Sequence, residues 1–237
     1  MKIIGIATKW LFILCIPALL LTASIGGAVN SLWLYKYGFQ KYEVNQTTGL
    51  ADVELEKAAI GLIQYFNSGE EYISLSVVKD DKPFGLFNER EIGHLKDVKG
   101  LIRLDYWVLL GTLVYVLAYA GISLFWRNDW HRLAWGAAWG GGITLGLMLI
   151  LGLATLFGFD QLFLLFHLIS FANDLWLLDP ARDYLIMLFP RGFWFDAFLF
   201  CALATAVGAI ILGGAGGRYL LIRRRATAKV VPESFDT

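Results

Sequence analysis

Two of the three histidines in this chain stand among the side chains that acid–base or metal chemistry draws on. His94 lies in the stretch FNEREIGHLKDVKGLIRLDYW, residues 87–107, which runs without a helix breaker into an apolar segment. On a helix turning roughly 100° per residue, Arg90, Glu91, Asp97, Val98, Leu101 and Asp105 fall within about 60° of it. His167 sits inside an apolar run, residues 162–172, with Asn173, Asp174, Trp176 and Asp179 at its polar edge. The residues leave two chemistries open. One is proton transfer by the histidines, with Asp97 or Glu91 accepting from the second ring nitrogen of His94 and orienting it, as a carboxylate does in a triad. The other is a metal site built from His94, Glu91 or Asp97, and His167.

Each candidate also has a plainer reading. His94 fits a surface histidine on a polar helix face, and His167 a ring satisfied by a carbonyl of a neighbouring helix. Glu91, three residues after Asn88, has the form of a capping box, which is the reading preferred for it. Asn173 and Asp179 fit helix capping or backbone satisfaction, and Trp176 and Arg191 fit interfacial anchors. His131, between Trp130 and Arg132 in a tight turn, also reads as an anchor. Cys15 and Cys201 both lie in apolar segments and read as small core residues.

The elements that must position these groups are membrane elements. The chain has 237 residues, 57% of them hydrophobic, and a mean hydropathy of +0.59, which excludes an ordinary soluble domain. Four segments, residues 10–35, 104–126, 133–157 and 193–217, are long and apolar enough to cross a bilayer, which takes about 20 residues. The predicted fold is an all-α integral membrane protein of four transmembrane helices. A small extracellular helical module with a short strand fills residues 36–103, an interfacial or re-entrant connection residues 158–192, and a cytoplasmic tail residues 218–237. Lys2, Lys9, Arg127, Arg132, Arg218, Arg223, Arg224, Arg225 and Lys229 fall on one side of that arrangement, which predicts both termini in the cytoplasm. The first segment reads as a retained span rather than a cleaved signal peptide, because its apolar stretch continues through Leu34.

Within the first connection, Leu55, Ala59, Leu62, Ile63 and Phe66 make one stripe of an amphipathic helix from Asp52 to Asn67, stopped by Ser68-Gly69. Residues 72–78 alternate as an extended segment, and Asp80-Asp81-Lys82-Pro83 reads as a turn. In the second connection, Asp179-Pro180 predicts the start of a short helix that Pro190 closes. Glycines from Gly136 to Gly146 and from Gly208 to Gly217 predict close helix packing. There is no GxSxG, HExxH, P-loop or CxxC motif, and the Arg223-Arg224-Arg225 cluster reads as an anionic-lipid anchor rather than a nucleic-acid site.

The pattern Glu91-Ile-Gly-His94-Leu-Lys-Asp97-Val98-Lys99 ahead of the second span, with FHLISFANDLWLLDPARDYLIMLFP (residues 166–190) after the third, resembles the bacterial lipoprotein intramolecular transacylase family. The resemblance covers nearly the whole chain; residues 52–83 and the C-terminal tail match poorly. It implies an enzyme of the plasma membrane that acts on lipoproteins carrying a diacylglyceryl thioether on their N-terminal cysteine. It further implies movement of an acyl chain from the sn-2 ester to the α-amino group of that cysteine, giving a lyso-form lipoprotein. The family's two functional histidines fall on His94 and His167. Such ester aminolysis needs no cofactor or metal, and no nucleic-acid partner is expected. A metal-dependent membrane hydrolase and a non-catalytic membrane scaffold remain as alternative functions, and the sequence does not set the oligomeric state.

Overall fold

A computed structural model describes residues 2–126 and 128–228, so the predictions placed on Arg127 and Lys229 lie outside the described residues. Eight α-helices and one hairpin follow in order. They are α1 (Lys2–Val29), α2 (Leu32–Lys41), α3 (Val44–Thr48), α4 (Asp52–Asn67), β1 (Ser76–Lys79), β2 (Lys82–Gly85), α5 (Glu89–Gly121), α6 (Trp130–Ser170), α7 (Tyr184–Leu188) and α8 (Arg191–Ala228). A single π turn, Ile122–Trp126, follows α5. Four of the helices are long and apolar enough to cross a membrane, in agreement with the four predicted. The described residues form two compact units.

The first unit contains α1 up to Ser24, residues 107–151 of α5 and α6, and α8 from Ala202. Small residues set its packing. A Cβ on Gly141 would stand 2.7 Å from the Gly213 Cα and 2.8 Å from the Ala209 carbonyl oxygen, so α6 and α8 touch backbone to backbone there. Tyr115 donates to the Thr8 carbonyl at 2.8 Å, and Thr205 to Ser24 Oγ at 3.0 Å.

The second unit comprises residues 25–106 and 152–201 and has an aromatic and aliphatic core. Tyr35, Phe39, Leu55, Leu62, Val77, Leu86, Leu188 and Phe189 are buried in it. The first span ends earlier than predicted: α1 stops at Val29, and Trp33 to Tyr35 belong to α2. The cause is local. Asn30 folds its amide back to the Gly26 carbonyl at 2.7 Å, and Ser31 caps α2 by accepting from Leu34 N. Helix α4 has the predicted bounds and buries the predicted stripe, save that Ile63 is only partly covered. The turn is shorter than predicted. Of the four predicted turn residues, Asp80 and Asp81 have positive φ, at 51° and 60°, and Lys82-Pro83 open a second strand paired antiparallel with β1.

Helix α6 continues past its apolar span, bending at Gly158 (φ −151°, ψ 39°) and carrying His167 on its last turns. The apolar run expected to lie at the interface is thus the end of a long helix. The helix predicted at Asp179-Pro180 begins four residues later, at Tyr184. Asp179 instead forms a turn in which its Oδ1 accepts from Ala181 N at 2.9 Å.

We expect Gly141→Ala to lower the thermal unfolding midpoint in detergent, by the equivalent of about 1–3 kcal/mol. Gly142→Ala, where nothing stands within 4 Å of the new methyl, is expected to be neutral or slightly stabilising. Equal midpoints for the two variants would contradict the backbone contact.

Candidate active site

His94 and His167 come together. Their ring centroids are 6.2 Å apart and their planes 29° from parallel, and the side chains are 7% and 8% exposed. His94 stands on the charged start of α5, ahead of the apolar span; residues 89–103 carry seven charged side chains. His167 stands beyond the Gly158 bend of α6. His94 thus precedes the uncharged stretch of α5, His167 follows the bend of α6, and both rings are buried in protein.

The two rings are held differently. His167 Nδ1 lies 2.8 Å from the carbonyl oxygen of Phe163, one turn back in its own helix. A carbonyl only accepts, so Nδ1 carries the hydrogen and Nε2 the lone pair. The ring is satisfied, but by its own helix rather than by a neighbour. His94 Nδ1 is buried with no hydrogen-bond partner. Phe171 stands between the two, 4.9 Å from the His94 ring and 5.5 Å from that of His167. Phe163, Phe166 and Trp176 complete the aromatic wall around His167, at 4.4, 5.3 and 5.0 Å. Burial, with the neighbouring His167 adding to it, pushes His94 down to about 4 from the usual 6.5, against a smaller upward pull from Asp97. Burial also lowers His167, opposed by its bond to the Phe163 carbonyl. Both imidazoles are thus neutral at neutral pH.

The predicted supporting residues take other places. Glu91 is 1% exposed and makes the full capping box, with Oε2 accepting from Asn88 N at 2.8 Å and Asn88 Oδ1 accepting from Glu91 N at 3.1 Å. Its Oε1 accepts from Leu185 N at 2.6 Å, so one carboxylate ties the starts of α5 and α7 together. Burial raises its pKa, and those backbone donors oppose the rise. Asp97 accepts from Asn173 Nδ2 at 2.9 Å and acts on His94 through its field rather than through a hydrogen bond. Asn173 in turn accepts from Leu175 N at 3.0 Å. Arg90 donates to the Asp174 carbonyl at 2.6 Å, so two contacts pin the strap after α6 onto α5. Asp179 stays in its turn, bonded to Ala181 and Asp183. Asp105 is three turns beyond His94, roughly 16 Å along the helix, and out of reach of its ring. Among the described residues no three His, Cys, Asp or Glu side chains gather to hold a metal ion, so the alternative ligand set is not assembled.

Sequence reasoning passed over four contributors. Asp183, 8% exposed, accepts from Asn88 Nδ2 at 2.8 Å and from Asp179 N at 2.7 Å. Nothing in its sequence context marks it. Phe171 and Phe163 read as generic apolar residues. Gly93 was the readable signal: a Cβ there would meet Leu175 Cδ1 at 2.9 Å, so the glycine beside His94 makes the notch into which the strap packs.

Comparison with known proteins bears on this arrangement. Residues 10–194 match a family described as lipoprotein intramolecular transacylase Lit. The crystal structure of the membrane integral lipoprotein intramolecular transacylase Lit of Bacillus cereus superposes with a TM-score of 0.80 at 20% identity, over 95% of this chain and all (100%) of that one. A variant of the same protein with a histidine replaced by alanine superposes at 0.72, over 95% and 97% of the two chains. At 20% identity these likenesses concern the fold. An uncharacterized protein of Aquifex aeolicus (strain VF5) is 30% identical over 127 residues, 53% of this chain, and the match spans about half (54%) of that relative's length.

The depressed His94 predicts an acid-labile fold. Above pH 6.5 the ring is neutral folded or unfolded and costs nothing. As pH falls from 6.5 towards 4 the unfolded chain binds a proton that folded His94 does not, so stability is lost, on the order of 3 kcal/mol across that window. Thermal midpoints measured from pH 7 to 4.5 should fall less steeply for His94→Gln than for the parent. Parallel curves would contradict the buried neutral ring.

Proposed function

Because the chain belongs to the lipoprotein intramolecular transacylase family, membrane acyltransferases that act on lipoproteins, we propose that it moves one acyl chain within a diacylglyceryl-modified lipoprotein. The chain leaves the sn-2 ester of the glyceryl group and joins the α-amino group of the same cysteine, giving a lyso-form lipoprotein. The observation that carries this reading is the pair of buried, neutral histidines 6.2 Å apart, one with its tautomer fixed by the Phe163 carbonyl.

The α-amino group has a pKa near 7.7–8.0, so the ammonium form first gives one proton to solvent, and the free amine is the species that attacks. The neutral amine attacks the ester carbonyl carbon, and His167 Nε2 takes the proton that the new C–N bond releases. His94, kept neutral by burial, donates its N–H to the oxyanion of the tetrahedral intermediate, as a neutral imidazole does when it acts as an electrophile. When the C–O bond breaks, the His167 imidazolium returns its proton to the sn-2 oxygen. One proton thus passes from nitrogen to oxygen and both imidazoles end neutral. Attack closes a ring of roughly eight atoms, which closes poorly unaided, so positioning supplies much of the rate gain. Phe163, Phe166, Phe171 and Trp176 offer a wall against which the acyl chains pack, and the apolar side chains of Leu164, Leu165, Leu168 and Ile169 lie exposed beside it.

The site belongs on the outer leaflet of the plasma membrane with both termini in the cytoplasm. The support is the side on which Lys9, Arg132, Arg218 and Arg223 to Arg225 fall. Asp97, Asn173, Glu91 and Asp179 act as positioning residues, holding the strap and the helix starts rather than touching substrate.

Expression of the chain in a host that accumulates diacylglyceryl lipoproteins tests the reading. His94→Ala and His167→Ala are each expected to lower lyso-form lipopeptide, measured by mass spectrometry, by about 10²-fold or more at unchanged protein abundance. Normal lyso-form levels from either variant would sink the two-histidine reaction.

A further inference from the structure

Of the described aromatic side chains packed against the two histidines, one has a hydrogen to donate. Phe163, Phe166 and Phe171 have none, and the fourth is Trp176, whose indole N–H can only donate. We propose that this N–H is a second donor to the acyl oxygen as negative charge develops on it, alongside His94, which makes Trp176 a further catalytic residue. The inference rests on the reaction given above.

Three observations support it. No described residue accepts a hydrogen bond from the Trp176 indole, so the donor is available to a ligand. Trp176 is half-buried against His167, whereas Trp107 at 71% and Trp126 at 87% are exposed as membrane anchors are. The strap that carries Trp176 is fixed at several points before any substrate arrives. Asn173 is bonded to Asp97, the Asp174 carbonyl to Arg90, and Leu175 fills the notch at Gly93. Leu178 N also donates to the Trp176 carbonyl, at 3.0 Å. A donor held in advance stabilises an oxyanion without reorganising when the charge appears.

The need for such a side chain is also physical. His94 and His167 both stand within helices, where backbone N–H groups are already bonded to carbonyls four residues back. Oxyanion stabilisation at that point falls to side chains or to the strap.

The test uses the full chain in detergent with a synthetic diacylglyceryl-cysteine lipopeptide, its conversion followed by mass spectrometry. Trp176→Phe keeps a ring against His167 and removes the donor. The expected result is a turnover rate lower by about 10²–10³-fold with KM and the pH profile unchanged. Wild-type turnover by Trp176→Phe, with His94→Ala and His167→Ala inactive, would overturn this inference, move the role to the strap backbone and leave the two-histidine reaction standing. Activity in the histidine variants would instead remove the reaction itself. Should Trp176→Phe fail to fold, indole-¹⁵N-labelled parent protein answers the question with a phosphonate analogue of the tetrahedral intermediate. One indole N–H resonance is expected to move downfield on binding, and no movement among the indole resonances would overturn the proposal.

Discussion

The hydrogen bond from His167 Nδ1 to the Phe163 carbonyl, 2.8 Å long, does more for the site than any other single contact. It removes the choice of tautomer. With Nδ1 committed as a donor, Nε2 has a lone pair and no donor to it among the described residues, and aromatic side chains surround the ring. That bond needs Phe163 and His167 one helical turn apart on a helix that persists beyond its membrane-length portion. Helix α6 provides this by continuing past the bend at Gly158 instead of ending there. His94 has the complementary condition, a buried ring with Nδ1 unpartnered. The two imidazoles thus differ through environment alone, one with its tautomer fixed and the other without a partner at Nδ1, and the roles we propose for them follow that difference.

Around this pair, the carboxylates are occupied with backbone N–H groups and asparagine amides. Glu91 satisfies N–H groups at the starts of α5 and α7, and Asp183 receives Asn88 Nδ2 and Asp179 N. Helix starts leave N–H groups without partners, and burying them costs free energy unless an acceptor is supplied. Meeting that requirement with Glu91, one turn before His94, fixes the His94 helix against α7. Asp97 is engaged by Asn173 and reaches His94 only as a field. The acids near the histidines therefore act as architecture, and in the reaction we propose the proton traffic is left to the two rings.

The spans were legible because long apolar runs have few other uses. Helix α4 was legible because its stripe repeats at helical spacing, and the start of α5 because Asn88 and Glu91 stand three residues apart. The errors have local causes. Asn30 and Ser31 end one helix and start another inside what reads as a continuous apolar segment, since two side-chain hydrogen bonds outweigh the hydropathy there. Asp179-Pro180 has the composition of a helix start, but Asp183 draws Asp179 N into a turn and delays the helix. Pairing His94 with His167 across some seventy residues is beyond periodicity, because it depends on a bend at Gly158 and on a strap whose anchor, Arg90 to a carbonyl, leaves no trace in composition. His94 and His167 were legible as ionisable groups set beside long apolar runs. Their division of labour was not, because tautomers are set by neighbours in space.

The ionisation and tautomer of the two rings can be observed directly by ¹⁵N NMR of histidine-labelled protein in detergent near pH 6, assigned with the single histidine variants. Our account predicts His167 protonated at Nδ1 with a bare Nε2, and His94 neutral. An Nε2–H tautomer at His167, or an imidazolium at either ring under those conditions, would contradict it.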